Sequence, residues 1–356
     1  MRFSFFSGLT RSFFFAFFGS LGVLFAFIFL FVGIGVFYSL GDSDHYGKKV
    51  KLLPDANGNR KQLSMDVPVI LQVPIKGVIG ADSLTGDKIE EILLSSREKE
   101  FKHERVKGIL LMINSPGGGV IASDQIYHHL LSYKKRFGVP IYAYIDGICA
   151  SGGYYISCAA DQLYASNVSV VGSVGVISYP PFLNISDALK KIGVESQTLY
   201  AGKGKDSMNA FRPWEEGESG HYQKLINYYY EDFVKIVCAS RPQISEENLV
   251  EIYGAEVLPA PVAAKDGFID EAGVSREVAL SELVKAAGIT GEYQVVCFEK
   301  KNVWKELFSK KSPFVTGEFN HTLKLSNSDQ IHEELPFSYT YFTSRIGIST
   351  APRSRA

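Results

Sequence analysis

The chain has few of the residues that build metal centres and disulfide frameworks. Its four cysteines, at positions 149, 158, 238 and 297, form no Cys-x-x-Cys pair and show no zinc-type spacing with histidine. The sequence therefore predicts neither a metal site nor a disulfide-stabilised scaffold, and it leaves the redox compartment open. A net charge of −1 over 356 residues gives no overall basic field, so nucleic acid is not an expected partner.

Charged residues are absent from residues 12–41, where Phe, Leu, Val, Ile and Gly dominate. This length exceeds the ~20 residues with which a helix crosses a bilayer. A cleavable signal peptide is the competing hypothesis, but its apolar core would be only about 7–15 residues long. The length of the run and Tyr38, placed like an interfacial aromatic, favour an uncleaved transmembrane helix.

The basic residues around this span do not decide its orientation. Lys48, Lys49 and Lys51 follow it and outnumber Arg2 and Arg11 before it. A large domain after a single span can cross the membrane whatever the nearby charge. Charge counting therefore leaves room for an extracytoplasmic domain without requiring one.

The remaining chain alternates apolar runs with amphipathic segments. This alternation predicts an α/β domain of βαβ units with right-handed crossovers. The predicted strands include 108–114, 139–145, 162–165 and 293–298, and the predicted helices include 84–99, 120–136 and 215–240. The predicted organisation is a short N-terminal segment 1–11, a transmembrane helix 12–41, a linker 42–65, the α/β domain 66–299 and a peripheral tail 300–356.

Ser151 stands where the apolar run 139–145 has ended and a helix is expected to begin. Small residues surround it in the sequence Asp-Gly-Ile-Cys-Ala-Ser-Gly-Gly-Tyr-Tyr, residues 146–155. A serine at a strand-to-helix turn has an exposed hydroxyl and unpaired backbone N–H groups beside it. This favours a nucleophile, and the alternative is that Ser151 serves only as a helix N-cap.

A nucleophilic serine needs a base, and no histidine lies between residues 130 and 220. The seven histidines, at positions 45, 103, 128, 129, 221, 321 and 332, could still contribute one from a distant segment. Lysine is the other base used with serine, provided that burial lowers its pKa. Lys190 and Lys191 lie in a predicted amphipathic helix, whereas Lys203 and Lys205 lie in the Gly-rich segment 201–207. Composition does not choose between these last two, nor exclude a flexible basic loop.

Two glycine-containing segments could form an oxyanion hole. Gly152 offers a backbone N–H directly after the serine, and the sequence Ser-Pro-Gly-Gly-Gly at 115–119 offers another at the end of the preceding strand. A phosphate-binding loop is the weaker interpretation, because the segment has no GxGxxG and no following Gly-Lys-Ser/Thr.

Three ordered motifs resemble the signal peptide peptidase A family, also called protease IV, in its short single-domain bacterial form. They are Ile-Asn-Ser-Pro-Gly-Gly-Gly at 113–119, Ala-Ser-Gly-Gly-Tyr-Tyr at 150–155 and Val-Gly-Ser-Val-Gly-Val at 171–176. With the apolar span, the resemblance covers roughly residues 13–290. The Gly-rich motif alone would also suit Clp-type proteases and enoyl-CoA hydratases, which share the fold.

The resemblance implies a role for five residues. By position, Ser151 matches the nucleophile and Lys205 the general base. Ser173 matches a second serine that holds the lysine in place, and Gly117 and Gly152 match the oxyanion donors. No metal takes part in the chemistry that the family implies.

The family further implies a ClpP/crotonase-like fold, no cofactor, and cleavage of hydrophobic signal peptides left in the membrane after secretion. It implies a homo-oligomer, octameric for the short form, anchored by a single span in the bacterial inner (cytoplasmic) membrane with extracytoplasmic active sites. Two alternatives keep the fold. One is an acyl-CoA hydratase or isomerase, and the other is an inactive scaffold in membrane-protein quality control.

Overall fold

The computed structural model describes residues 49–81 and 84–299, together with residues 17–19, 21, 22, 25, 27 and 29–31. Within these residues, no helix combines the length and the hydropathy that a membrane crossing requires. Most of the predicted transmembrane helix 12–41 and the whole predicted tail 300–356 lie outside the described residues.

Nine strands of the described chain form one mixed sheet in the order β1-β9-β2-β3-β4-β5-β8, with β6 paired to β4 and β7 to β6. The pairs β1–β9 and β6–β7 are antiparallel and the other pairs are parallel. The strands are β1 Lys49–Leu53, β2 Val69–Lys76, β3 Val106–Ser115, β4 Ile141–Ala150, β5 Gln162–Ala165, β6 Val170–Gly172, β7 Val257–Pro259, β8 Glu271–Ala272 and β9 Gln294–Glu299.

Helices connect these strands and cover the sheet. They are α1 Gly86–Ser95, α2 Val120–Phe137, α3 Gly152–Ser157, α4 Ser186–Lys191, α5 Gly220–Ser240, α6 Ala260–Lys265 and α7 Arg276–Ala286, with a 3-10 turn Lys99–Phe101 and a π-helical turn Asn248–Tyr253. The helix predicted over 84–99 is shorter at both ends: Thr85 caps its start, its hydroxyl accepting a hydrogen bond from the Lys88 N–H, and Ser96 ends it.

The central strands are buried on both faces, as expected for parallel strands in an α/β fold. On one face of β3, Ile109, Leu111 and Ile113 belong to the main hydrophobic core. On the other face, Leu110 and Met112 pack in a second cluster that includes α7 side chains. This arrangement confirms the predicted α/β class.

The prediction that the fourth strand ends at residue 145 is wrong. Strand β4 continues to Ala150 because it changes partner, pairing with β5 over residues 142–145 and with β6 over residues 148–150. Gly147 lies at the change, with φ +123°, and its N–H donates to the Ser169 hydroxyl at 3.0 Å. The extension carries Ser151 to the end of a second strand pair.

Part of the segment predicted as a linker, residues 42–65, forms strand β1. Val50 and Leu52 alternate with polar residues and are partly buried against the core, while Lys51 pairs with Glu299 at 2.5 Å. Strand β9 lies between β1 and β2, so the two ends of the domain meet in the sheet. This long-range pairing explains how a mostly polar segment becomes a strand.

Tyr154 on α3 offers a test of how the helix behind Ser151 is fixed. It is fully buried, and its hydroxyl donates to the Phe268 carbonyl oxygen at 2.8 Å. Tyr154→Phe leaves that carbonyl without its partner, and we expect the free energy of unfolding to fall by about 1–2 kcal/mol in urea titrations. Tyr228→Phe is the control, since Tyr228 is exposed. Equal stability of the two variants would contradict the assigned role.

Candidate active site

Ser151 occupies a strained turn between β4 and α3. Its φ of 52° and ψ of −123° lie in a region of backbone angles that residues other than glycine rarely adopt. The backbone is held by two bonds of 2.9 Å, from the Ser151 N–H to the Gly172 oxygen and from the Tyr155 N–H to the Ser151 oxygen. The hydroxyl makes no capping bond to α3, which argues against a simple N-cap. Strain of this kind is typical of functional positions.

Gly117, after strand β3, lies directly against the serine. A methyl group at position 117 would stand 2.7 Å from the Ser151 Cβ and 3.0 Å from the Gly152 nitrogen. The φ of +102° at Gly117 also favours glycine. Only a residue without a side chain allows the two strand ends to approach this closely, which explains the glycine at position 117.

The two glycines that are predicted to be oxyanion donors differ in the hydrogen bonding of their N–H groups. In the described chain, the Gly152 N–H has no acceptor and stands at the N-terminus of α3. The Gly117 N–H, by contrast, donates to the Ser115 hydroxyl at 3.2 Å. Its neighbour Gly118 has no hydrogen bond on its N–H among the described residues. Gly118 is therefore a second donor candidate within the segment 115–119, from which the family resemblance selects Gly117.

Ser173 lies beside Ser151 through the pairing of β4 with β6. Ala150 stands opposite Gly172 at the ends of these strands, so each serine is the next residue along its strand. Ser173 also has positive φ, +55°, and its N–H donates to the Glu256 oxygen at 2.7 Å. The structure thus brings four of the predicted site residues together.

The fifth, Lys205, lies in the exposed loop between α4 and α5. In the described chain its ammonium has no hydrogen bond to either serine. The loop is nevertheless built by turns, with the Lys205 N–H donating to the Gly202 oxygen and the Ser207 N–H donating to the Gly204 oxygen, both at 3.2 Å. This loop is not a loose basic segment.

In the part of the chain that the structure describes, no histidine is positioned as an alternative base. His128 is exposed on α2 and stands 3.3 Å from Asp124, and His221 stacks on Tyr222 at the start of α5. Neither is hydrogen-bonded to Ser151. Histidines 45, 321 and 332 lie outside the described residues.

Cys149, two residues before the serine, is a packing residue. Its side chain is fully buried in the main core. Burial raises the pKa of the Cys149 thiol well above its usual range, which keeps it protonated and unreactive. Burial likewise raises the pKa of Cys158 to about 11. No other nucleophile competes with Ser151 at this turn of the described chain.

Comparison with known proteins gives matches across this region. Residues 133–290 match the family model described as peptidase family S49, and residues 87–169 match that described as Clp protease. A protein named as a protease from Methanocaldococcus jannaschii is 37% identical over 198 residues, covering 56% of this chain and 61% of that protein. A protein named signal peptide peptidase SppA from Enterococcus faecium is 34% identical over 197 residues, covering 55% and 56%.

A ClpP1 mutant from Listeria monocytogenes, among solved structures, is 17% identical with a TM-score of 0.38, covering 61% of this chain and 96% of that one. The chain spans 61% and 56% of the length of the two curated relatives. The Clp protease match and the mixed sheet with buried parallel strands support the predicted α/β ClpP/crotonase-like fold. Together with the motifs around residues 113–119, 150–155 and 171–176, the family-model match and the two curated relatives confirm the predicted resemblance: this chain is similar to peptidase family S49 and to proteases of the signal peptide peptidase A type.

Proposed function

We propose that this protein is a membrane-anchored serine endopeptidase with a Ser151–Lys205 dyad, acting on hydrophobic peptides such as signal peptides that remain in the membrane after secretion. The observation that carries the proposal is Ser151 itself. It stands on a strained turn with no partner for its hydroxyl in the described chain, beside the unpaired Gly152 N–H. These features are what a serine nucleophile and its oxyanion hole require.

In the proposed reaction, neutral Lys205 takes the hydroxyl proton while the Ser151 oxygen attacks the carbonyl carbon of the scissile peptide bond. The Gly152 N–H and one N–H of the glycine run at 117–119 stabilise the oxyanion. The lysine then gives its proton to the leaving amine, and an acyl-enzyme forms. Water, deprotonated by the same lysine, hydrolyses the ester and restores Ser151.

Ser173 is proposed to orient the lysine. Its backbone is fixed by the Glu256 oxygen, and it follows the strand end that holds the Ser151 N–H. A hydroxyl at this position can accept a hydrogen bond from the lysine amine and still face the nucleophile. In this proposal, one lysine amine bridges the hydroxyl groups of the two serines.

We further propose that the protein works as a homo-oligomer, octameric as the family resemblance implies. The segment that precedes Lys205 exposes large apolar side chains, among them Ile177, Leu183, Ile192 and Leu199, with exposed fractions of 66–87%. A monomeric protein rarely exposes so many large apolar side chains in one stretch of chain. We assign a second copy of this chain as the partner that covers them and propose that Lys205 acts on the Ser151 of a neighbouring copy.

The membrane part of the proposal rests on residues 12–41, whose uncharged length is sufficient for a single span. An anchor would hold the active sites close to hydrophobic peptides in the bilayer. We propose the bacterial inner membrane, with the catalytic domain on its extracytoplasmic side.

Replacing either member of the dyad tests the function. We expect Ser151→Ala and Lys205→Ala each to lower kcat for a hydrophobic peptide at least about a thousandfold, because the two residues act as one unit. Lys203→Ala, in the same loop, and Ser132→Ala, on α2, are the matched controls and should keep wild-type turnover. Full peptide turnover in Ser151→Ala would show that another group is the nucleophile, and full turnover in Lys205→Ala alone would point to another base. Absence of peptide turnover in the wild type would favour an inactive scaffold or a hydratase-type enzyme.

The pH dependence of kcat/KM distinguishes lysine from histidine as the base. A lysine acts as the base only in its neutral form, whose fraction increases as the pH rises. We therefore expect kcat/KM to rise from pH 7 toward pH 9. A titration near pH ~6.5 followed by a plateau would instead indicate a histidine.

Complementation tests whether the lysine comes from a neighbouring copy. Ser151→Ala and Lys205→Ala chains are co-expressed, and peptide turnover is compared with that of each variant alone. We expect activity to reappear, because mixed oligomers pair an intact Ser151 with an intact Lys205. The Ser151→Ala/Lys205→Ala double variant co-expressed with Ser151→Ala is the negative control. Mixed oligomers without activity would show that one chain supplies both residues.

A further inference from the structure

The loop that carries Lys205 is organised by one arginine, Arg212. Its five N–H groups all have acceptors. The Nε donates to the Asp206 carboxylate at 2.6 Å, and one Nη donates to the Asp206 backbone oxygen at 2.7 Å and to Glu218. The other Nη donates to Glu218 at 3.0 Å and to the Pro213 oxygen at 2.9 Å. Such planar, two-sided use of a guanidinium is specific to arginine.

Glu218 lies two residues before helix α5 and stabilises the loop by accepting hydrogen bonds. Besides the Arg212 bonds, its two carboxylate oxygens accept the Met208 N–H and the Glu215 N–H, both at 2.8 Å. Met208 has a positive φ of 59°, so its conformation depends on such a bond. Hydrogen bonds from Arg212 lower the pKa of Glu218 to about 2, so the network is fully charged at neutral pH. The side chains of Asp206 and Glu218 are only 7% and 8% exposed in this otherwise exposed loop.

Asp206, the residue after Lys205, is fully engaged by this network. One carboxylate oxygen accepts from Arg212 and the other accepts from the Asn209 amide at 2.6 Å. Hydrogen bonding to Arg212 also lowers the pKa of Asp206. In the described chain, Lys205 itself has no ion pair despite its acidic neighbour.

A free carboxylate next to Lys205 would work against the proposed chemistry. An opposite charge within a few ångströms favours the protonated ammonium, which cannot accept a proton from a serine. Engagement of Asp206 by Arg212 removes this competition. The same network fixes the backbone that follows the lysine, at the Asp206 oxygen and the Met208 N–H.

We propose that Arg212 is a positioning residue for Lys205: it braces the loop through Asp206 and Glu218 and keeps the Asp206 carboxylate from pairing with the lysine. The inference rests on the proposed Ser151–Lys205 dyad and deepens it. Arg212 does not touch the reacting atoms. It acts through Lys205, which does.

The test compares Arg212→Gln with the double variant Arg212→Gln/Asp206→Asn. We expect Arg212→Gln to lower kcat for a hydrophobic peptide about tenfold or more, with KM changed less than about threefold, because a base displaced by an ångström loses most of its effect. Adding Asp206→Asn should restore part of kcat, since an amide does not pair with the lysine. A merely structural role predicts a further fall, because the second substitution replaces a carboxylate oxygen that accepts hydrogen bonds in the loop with an amide nitrogen that cannot.

Amide hydrogen exchange supplies a readout that does not depend on activity. In Arg212→Gln, the N–H groups of Met208 and Glu215 should exchange faster than in the wild type. Arg60→Gln, an exposed arginine in the β1–β2 connection, is the control and should change neither exchange nor kcat. Should Arg212→Gln fail to fold, Arg212→Lys replaces it with the same expectation, because an ammonium lacks the two-sided fork.

Lys205→Ala, measured in parallel, distinguishes a failure of the proposed dyad from a failure of the positioning role of Arg212. Activity retained in Lys205→Ala overturns the proposed dyad whatever Arg212 does. Loss of activity in Lys205→Ala with wild-type kcat in Arg212→Gln overturns the positioning role and leaves the dyad standing. A further fall in kcat on adding Asp206→Asn also overturns it, because Asp206 would then be needed for itself.

Discussion

The hydrogen bond from the Ser151 N–H to the Gly172 oxygen is the constraint on which the rest of the site depends. It forms only because β4 leaves β5 and pairs with β6, so that two strands end side by side. Each strand then turns through a residue of positive φ, Ser151 in one case and Ser173 in the other. The strain of both turns is offset by buried structure behind them, including the fully buried Tyr154.

The two halves of the proposed dyad are held by different kinds of interaction. Ser151 is fixed by strand pairing and by hydrophobic burial of α3, which exclude water and tolerate little movement. Lys205 is carried by a surface loop with little apolar contact, and charge-assisted hydrogen bonds around Arg212 take the place of a core. A rigid nucleophile and a braced but exposed base fit a site that is completed by assembly.

The local hydrophobic pattern of the sequence was sufficient to predict the central strand β3 and helix α2. The apolar run at 108–114 and the amphipathic pattern at 120–136 appear as β3 and α2 within a few residues, because burial on both faces and one-sided burial leave different periodicities. The bend in β4 and the pairing of β1 with β9 were not predicted, because both depend on partners distant in the chain. The same holds for the loop 201–218, where Asp206, Arg212 and Glu218 show no helical or strand spacing.

The sequence by itself determined the resemblance to the signal peptide peptidase A family, the α/β class and the identity of Ser151 as the residue to examine, because small residues in a fixed order allow a backbone to turn tightly. Only the tertiary structure decided that Ser173 lies beside Ser151 and that the Gly117 N–H donates to the Ser115 hydroxyl. It also decided that the Asp206 carboxylate binds Arg212 and not the neighbouring Lys205. Each of these depends on which atoms meet across the fold, and a hydrogen bond between distant residues leaves no periodic trace in the chain.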